Sequence, residues 1–187
     1  TNVGDIYLTD DPDFTEAIDY GSIIKQYMFW NIAKLIEGDL ESLVDHPLIG
    51  VIAKRRQVEN PLGYEFAKAH ITALSDTVAM TESPIGDTNA VVHQLLEEKA
   101  TPHPVILTAV TRNRSVSVSL RSRNGEALAV AKQLQGGGHP NACGATLPQS
   151  IQRIPDAVGY LKKTLNPKPG GDGLGNLGDA LEGLEVK

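Results

Sequence analysis

The stretch SVSVSLRSRNGEALAVAKQLQGGGHPNACG, residues 115–144, carries the pattern from which the fold is read. Val116, Val118 and Leu120 alternate with Ser115, Ser117, Ser119, Arg121 and Arg123 at a period of two, the signature of a strand with one buried and one polar face. Arg121 and Arg123 therefore share the polar face. Asn124-Gly125 ends the strand, and the Leu128, Ala131, Leu134 spacing within Glu126–Leu134 suits a short amphipathic helix. That helix leads straight into Gly136-Gly137-Gly138-His139. Glycines without Cβ atoms let the main chain approach a ligand closely, and successive N–H groups can converge on phosphate oxygens. Pro140 pushes the residue before it into extended geometry, so the His139 ring projects in a defined direction. A helix cap and turn would account for one glycine, but not for three in a row followed by a histidine. Gly136, Gly137, Gly138, His139 and Arg121 are accordingly candidate phosphate ligands, with Arg123 beside them.

Outward from this unit, Val105–Val110 is a second apolar, β-branched run, and residues 111–114 read as a hairpin connection to the arginine strand. Ala145–Leu147 reads as a third strand. Ile154, Val158, Leu161 and Leu165 mark a closing helix with Pro155 in its first turn. Toward the N-terminus, Asp11 and Pro12 suit the start of a helix in which Phe14, Ile18, Ile24, Met28, Ile32 and Leu35 line a buried face thickened by Tyr27 and Trp30. Further helices are expected after Asn60-Pro61 and after Asp87. The expected fold class is α/β, mixed and α+β-like: a small mixed sheet with flanking helices, preceded by a mainly helical segment. Three regions follow: an acidic, mainly helical linker or partial domain over residues 1–100, a ligand-binding domain over 101–165, and a flexible Gly-rich tail over 166–187.

Charge is distributed in the same blocks. Residues 1–100 hold 7 Lys/Arg against 17 Asp/Glu, residues 101–165 hold 8 against 2, and residues 166–187 hold 2 against 4, within a net charge of −6. A basic region beside an acidic one draws anionic ligands to one place while discouraging indiscriminate coating by nucleic acid, which favours short substrates. The single cysteine, Cys143, excludes an internal disulfide. No apolar run has membrane-spanning length, so no membrane partner is expected and a cytoplasmic setting is the default.

Two-metal hydrolysis needs aspartates and histidines converging within a few ångströms. The five histidines, His46, His70, His93, His103 and His139, are scattered without helical ligand spacing. Asp45-His46-Pro47 reads as a turn, Asp76 is given no role, and the basic run Lys54-Arg55-Arg56 is left unassigned.

The arginine strand, helix and glycine-histidine segment together resemble the DHH-associated C-terminal domain of the DHH phosphoesterase superfamily. The resemblance covers roughly residues 104–165, with Arg121-Ser122 and Gly136 to Gly144 matching the family's arginine-serine pair and its glycine-rich, histidine-containing motif. Many members carry four glycines before the histidine, whereas Gln135 stands at the first of those places. The resemblance implies a jaw that holds the phosphate of a substrate against a separate N-terminal DHH domain with divalent metals, usually manganese. It makes Arg121 and His139 the phosphate-contacting side chains and Gly136, Gly137 and Gly138 the main-chain contacts, with Arg123 a further candidate. The implied function is the substrate-binding part of a phosphoesterase acting on short oligonucleotides, dinucleotides, nucleotide phosphates or polyphosphate, inactive without its metal domain. The expected partners are a phosphorylated nucleotide or short single-stranded oligonucleotide and the DHH domain itself. The alternative is a stand-alone nucleotide- or nucleic-acid-binding module that keeps the grip and has no chemistry.

Overall fold

The computed structural model describes residues 10–39, 41–43 and 46–167. Asp45 and the glycines of the tail lie outside them. N-terminal helices precede a mixed six-stranded sheet flanked by helices, an α/β fold.

The sheet is built on β3 (Val105–Arg112) and β4 (Ser115–Ser122), antiparallel along their whole length from Val105 opposite Ser122 to Arg112 opposite Ser115. Thr111 and Arg112 continue the strand, so the connection is two residues rather than four. Asn113 and Arg114 both take positive φ, 45° and 64°. A turn of that kind follows the right-handed twist of a tight hairpin, which lets pairing continue to its base. On one side β3 pairs in parallel with β2 (Val78–Met80), which pairs with β1 (Thr72–Ala73). The parallel pair requires a crossover, supplied by α4 (Thr88–Glu97). Asp87 starts this helix, its carboxylate accepting from the Ala90 N–H at 3.0 Å.

On the other side β4 pairs with β6 (Ala142–Thr146), which carries the edge strand β5 (Gly137–His139). β6 therefore begins three residues before the strand expected at Ala145. The glycine run is not an open loop but half of a hairpin, and pairing with it draws Ala142 to Gly144 into the sheet.

Val105, Leu107, Val116, Val118 and Leu120 point to one face and pack on α5 (Glu126–Gln133) and α6 (Ile154–Leu165). Ile106 points to the other, against Tyr64 and Ala67 of α3 (Pro47–Ala69) and Val91, Val92, Leu95 and Leu96 of α4. These helices cover β2 and β3 and leave the polar face of β4, β6 and β5 open.

The N-terminal part departs from its expected pattern. Met28 takes φ 65° and splits the first helix into α1 (Phe14–Tyr27) and α2 (Phe29–Leu35). Ile32 is buried as expected, but Ile23 and Ile36 face the core with Ile52 in place of Ile24 and Leu35, which are exposed along with Met28 and Trp30, Trp30 by 72%. A helix does not begin at Pro61 either. α3 runs through that proline from Pro47, flanked by α1 and α4, whose packing outweighs the one lost backbone bond. Its Lys54-Arg55-Arg56 run is held by local partners: Arg56 pairs with Asp19 at 2.9 Å and Arg55 with Glu59 at 2.7 Å. Among the described residues, no helix is long and apolar enough to cross a membrane.

Candidate functional site

Strand register brings the predicted side chains together. Arg121 lies opposite Ala142, and Ala142 lies opposite His139, so all three belong to one cross-strand row and point to the same face. Two strand spacings separate the Arg121 and His139 backbones by about 10 Å. The next row toward the hairpin base is Ser119, Gly144 and Gly137. The open face is thus a polar floor with a guanidinium on one side, an imidazole on the other and glycines between.

The three glycines have different roles. A Cβ on Gly136 would lie 2.2 Å from the Gly144 carbonyl oxygen, and one on Gly138, at φ 140°, would lie 2.6 Å from that of Ala142. Both are demanded by the close approach of β5 to β6. A Cβ on Gly137 would meet nothing within 4 Å, so its backbone is open to a ligand. The Gly136 N–H is already used, donating to Ala131 at 2.8 Å while Gln135 donates to Lys132. This pair of bonds closes α5, with Gln135 in the left-handed conformation at φ 59°. Glutamine therefore occupies the turn where a fourth glycine would carry no steric penalty.

Arg121 is held rather than free. Its Nη2 donates to Asn89 Oδ1 at 2.9 Å and its Nη1 to the Leu120 carbonyl at 3.0 Å. Burial pulls its pKa below the usual arginine value, with Cys143 and Asp87 acting the other way. Among the described residues no carboxylate forms an ion pair with it. A half-buried guanidinium with an amide and a carbonyl for partners keeps its charge, with Asp87 near enough to act on it but forming no salt bridge with it. Beside it a cleft of about 690 Å³ opens between the sheet and the start of α4, lined by Ser119, Thr108, Asn89, Asp87 and Lys25. A shallower hollow of about 530 Å³ lies over Ser117, Gly137, Gly144 and Thr146.

His139 is exposed, and its main chain is anchored: its carbonyl accepts from Cys143 Sγ at 2.7 Å. The following turn is tied to the end of β4. Asn141 Oδ1 accepts from the Gly125 N–H at 2.6 Å and from Ser122 Oγ at 3.2 Å, and Ser122 Oγ accepts from the Ala127 N–H at 3.0 Å. Ser122 and Asn141 thus position both halves of the site. Arg123 continues past β4 and donates to the Glu97 carbonyl at 3.4 Å.

The other histidines have separate surroundings. His46 caps α3 through the Leu48 N–H, His70 stacks on Phe66 with ring centroids 4.0 Å apart, and His103 bonds Thr101. His93 is the residue that sequence reasoning missed. Asn89 and His93 are four apart on α4 and so share the helix face that meets Arg121, a spacing legible only once that face is known. Burial, then the neighbouring Arg121, lowers the His93 pKa to about 4.

A native pKa below the unfolded value of 6.5 means that the unfolded chain binds the proton first. Stability from this residue is present above pH 6.5 and is lost as pH falls toward 4. Urea unfolding should show a decline between pH 7 and 5 that His93→Gln flattens; an unchanged slope would remove His93 from that account.

Among the described residues no three His, Cys, Asp or Glu side chains converge as a metal site.

Residues 78–166 match the DHHA1 domain family. A search of curated proteins finds no match. Among solved structures, a pGpG-specific phosphodiesterase from Vibrio cholerae is similar over 75% of this chain, with 12% sequence identity and a TM-score of 0.44. The alignment takes in 49% of that protein, so this chain spans about half its length. The match covers β2 through α6, every element that carries the arginine, the glycines and the histidine.

Proposed function

We propose that the open face of the sheet grips the phosphate of a phosphorylated nucleotide or short single-stranded oligonucleotide. In this reading the domain is the substrate-binding part of a metal-dependent DHH-type phosphoesterase, with manganese held by residues other than those described. Dinucleotides, nucleotide phosphates and polyphosphate share the phosphoryl chemistry that the face would recognise. The observation that carries the proposal is the half-buried Arg121 guanidinium, without a salt bridge among the described residues, in register with His139. An anion supplies the close ion pair that no described carboxylate makes, and a guanidinium fork matches two phosphate oxygens. His139 closes the anion from the edge strand, and the open backbone at Gly137 permits close approach. Arg123, just past the end of β4, extends the positive charge. The chain's own residues bind and orient; hydrolysis by water takes place where the metals are.

The test is titration of a 5′-phosphorylated oligonucleotide at modest salt. His139→Ala is expected to weaken binding about tenfold, the loss of one charge-assisted hydrogen bond, while His70→Ala, just past the end of α3 against Phe66, leaves it unchanged. Equal effects from the two would sink the proposal.

A further inference from the structure

We propose that the cavity at the C-terminal end of α4 is a second phosphate subsite, taking the phosphoryl group of the next nucleotide of the ligand held at Arg121. The inference rests on the reading of that grip. The cavity has a volume of about 850 Å³ and is formed by residues 99–104 and the chain just past β4, a size that suits a nucleotide unit. Lys99, His103 and Arg123 converge on it, Pro102 and Pro104 give it apolar wall, and no carboxylate lines it. Among the described residues neither Lys99 nor Arg123 forms an ion pair. The nearby Glu126 is turned instead to the Asn124 side chain at 3.3 Å. Thr101 Oγ1 fixes the His103 ring through Nδ1 at 2.6 Å.

A cation at a helix C-terminus is favourable through the helix dipole. That accounts for one charge, not for three groups around one cavity. Lys99 also takes φ 52° immediately beyond the helix, a conformation in which glycine would carry no strain. The link to the first site is geometric. Arg121 lies near the end of β4 and Arg123 just past it, and their side chains reach Asn89 and the Glu97 carbonyl, at the two ends of α4. A ligand with one phosphate on Arg121 would run along that helix toward Arg123 and Lys99.

Calorimetry on the 187-residue chain at low salt would compare a 5′-phosphorylated mononucleotide with a 5′-phosphorylated dinucleotide. Lys99→Gly suits the left-handed backbone, so its melting temperature should be no lower than that of the parent. It is expected to weaken dinucleotide binding about tenfold and to leave mononucleotide binding within about twofold. His103→Gln should act in the same direction. Unchanged dinucleotide affinity in both variants, or equal losses for both ligands, overturns the subsite. Unchanged mononucleotide affinity in Arg121→Ala instead overturns the first grip, and with it the assignment of Lys99 to a second phosphate.

Discussion

Gly136→Ala is expected to cost about 3 kcal/mol of folding stability, the upper end of the cost of overpacking a well-packed site. Its Cβ would sit 2.2 Å from a backbone oxygen and 2.6 Å from the Ala145 Cβ, and neither can swing away as the end of a flexible side chain could. Relief requires β5 to lift from β6, which opens the hairpin that carries His139. Such a loss is a large part of the ~5–15 kcal/mol that holds a domain together. Gly138→Ala should behave likewise, since its φ of 140° adds backbone strain to the clash with Ala142 and Cys143. Gly137→Ala is the control, with space around its Cβ and stability expected within about 0.5 kcal/mol of the parent, as for surface substitutions. Urea denaturation of the three variants decides the matter. Equal destabilisation at all three positions would mean that glycine serves backbone flexibility in general rather than the packing of two strands.

Arg121→Ala is expected to weaken binding of a 5′-phosphorylated dinucleotide roughly ten- to a hundredfold, the worth of a charge-assisted bond to phosphate. Because one phosphate contact is lost, the dependence of log affinity on log salt should also become shallower by about one unit. Arg121→Lys retains the charge but cannot span Asn89 and two phosphate oxygens together, so an intermediate loss is expected. Fluorescence anisotropy across a salt series separates these effects. Removing the side chain also leaves Asn89 Oδ1 without its partner, so melting curves accompany the titration. A Lys variant as weak as the Ala variant would place the whole effect in the fork geometry. An Ala variant binding as well as the parent would remove Arg121 from the site.

The arginine strand was legible because its alternation is local: Val116, Val118 and Leu120 must be buried together, which commits Ser119 and Arg121 to the opposite side. The amphipathic α5 was legible for the same reason at a period of 3.6 residues. The N-terminal stripe is one residue out at Ile24 and Leu35, where Ile23 and Ile36 face the core, and it does not run unbroken, because Met28 leaves the helical conformation. Residue type carries no warning there, since methionine is an ordinary helix former. The glycines looked like a cradle for an anion, and two of them are spent on backbone contact with β6, a partner identified only by the fold. His93 and Asn89 were invisible for a like reason. They matter through Arg121, which lies 28 and 32 residues away in sequence and comes beside them only when α4 crosses the sheet.

By itself the sequence determined which residues face in or out along each short element, and that a basic, glycine-rich region could receive phosphate. Local sterics and solvation set those properties within a few residues of where they are read. Only the tertiary structure decided that Arg121 and His139 occupy one row, that Gly137 alone among the three glycines is open, and that Lys99 and His103 join Arg123 around a cavity. Those facts depend on strand register and helix crossing, which are settled by how distant apolar faces are buried together.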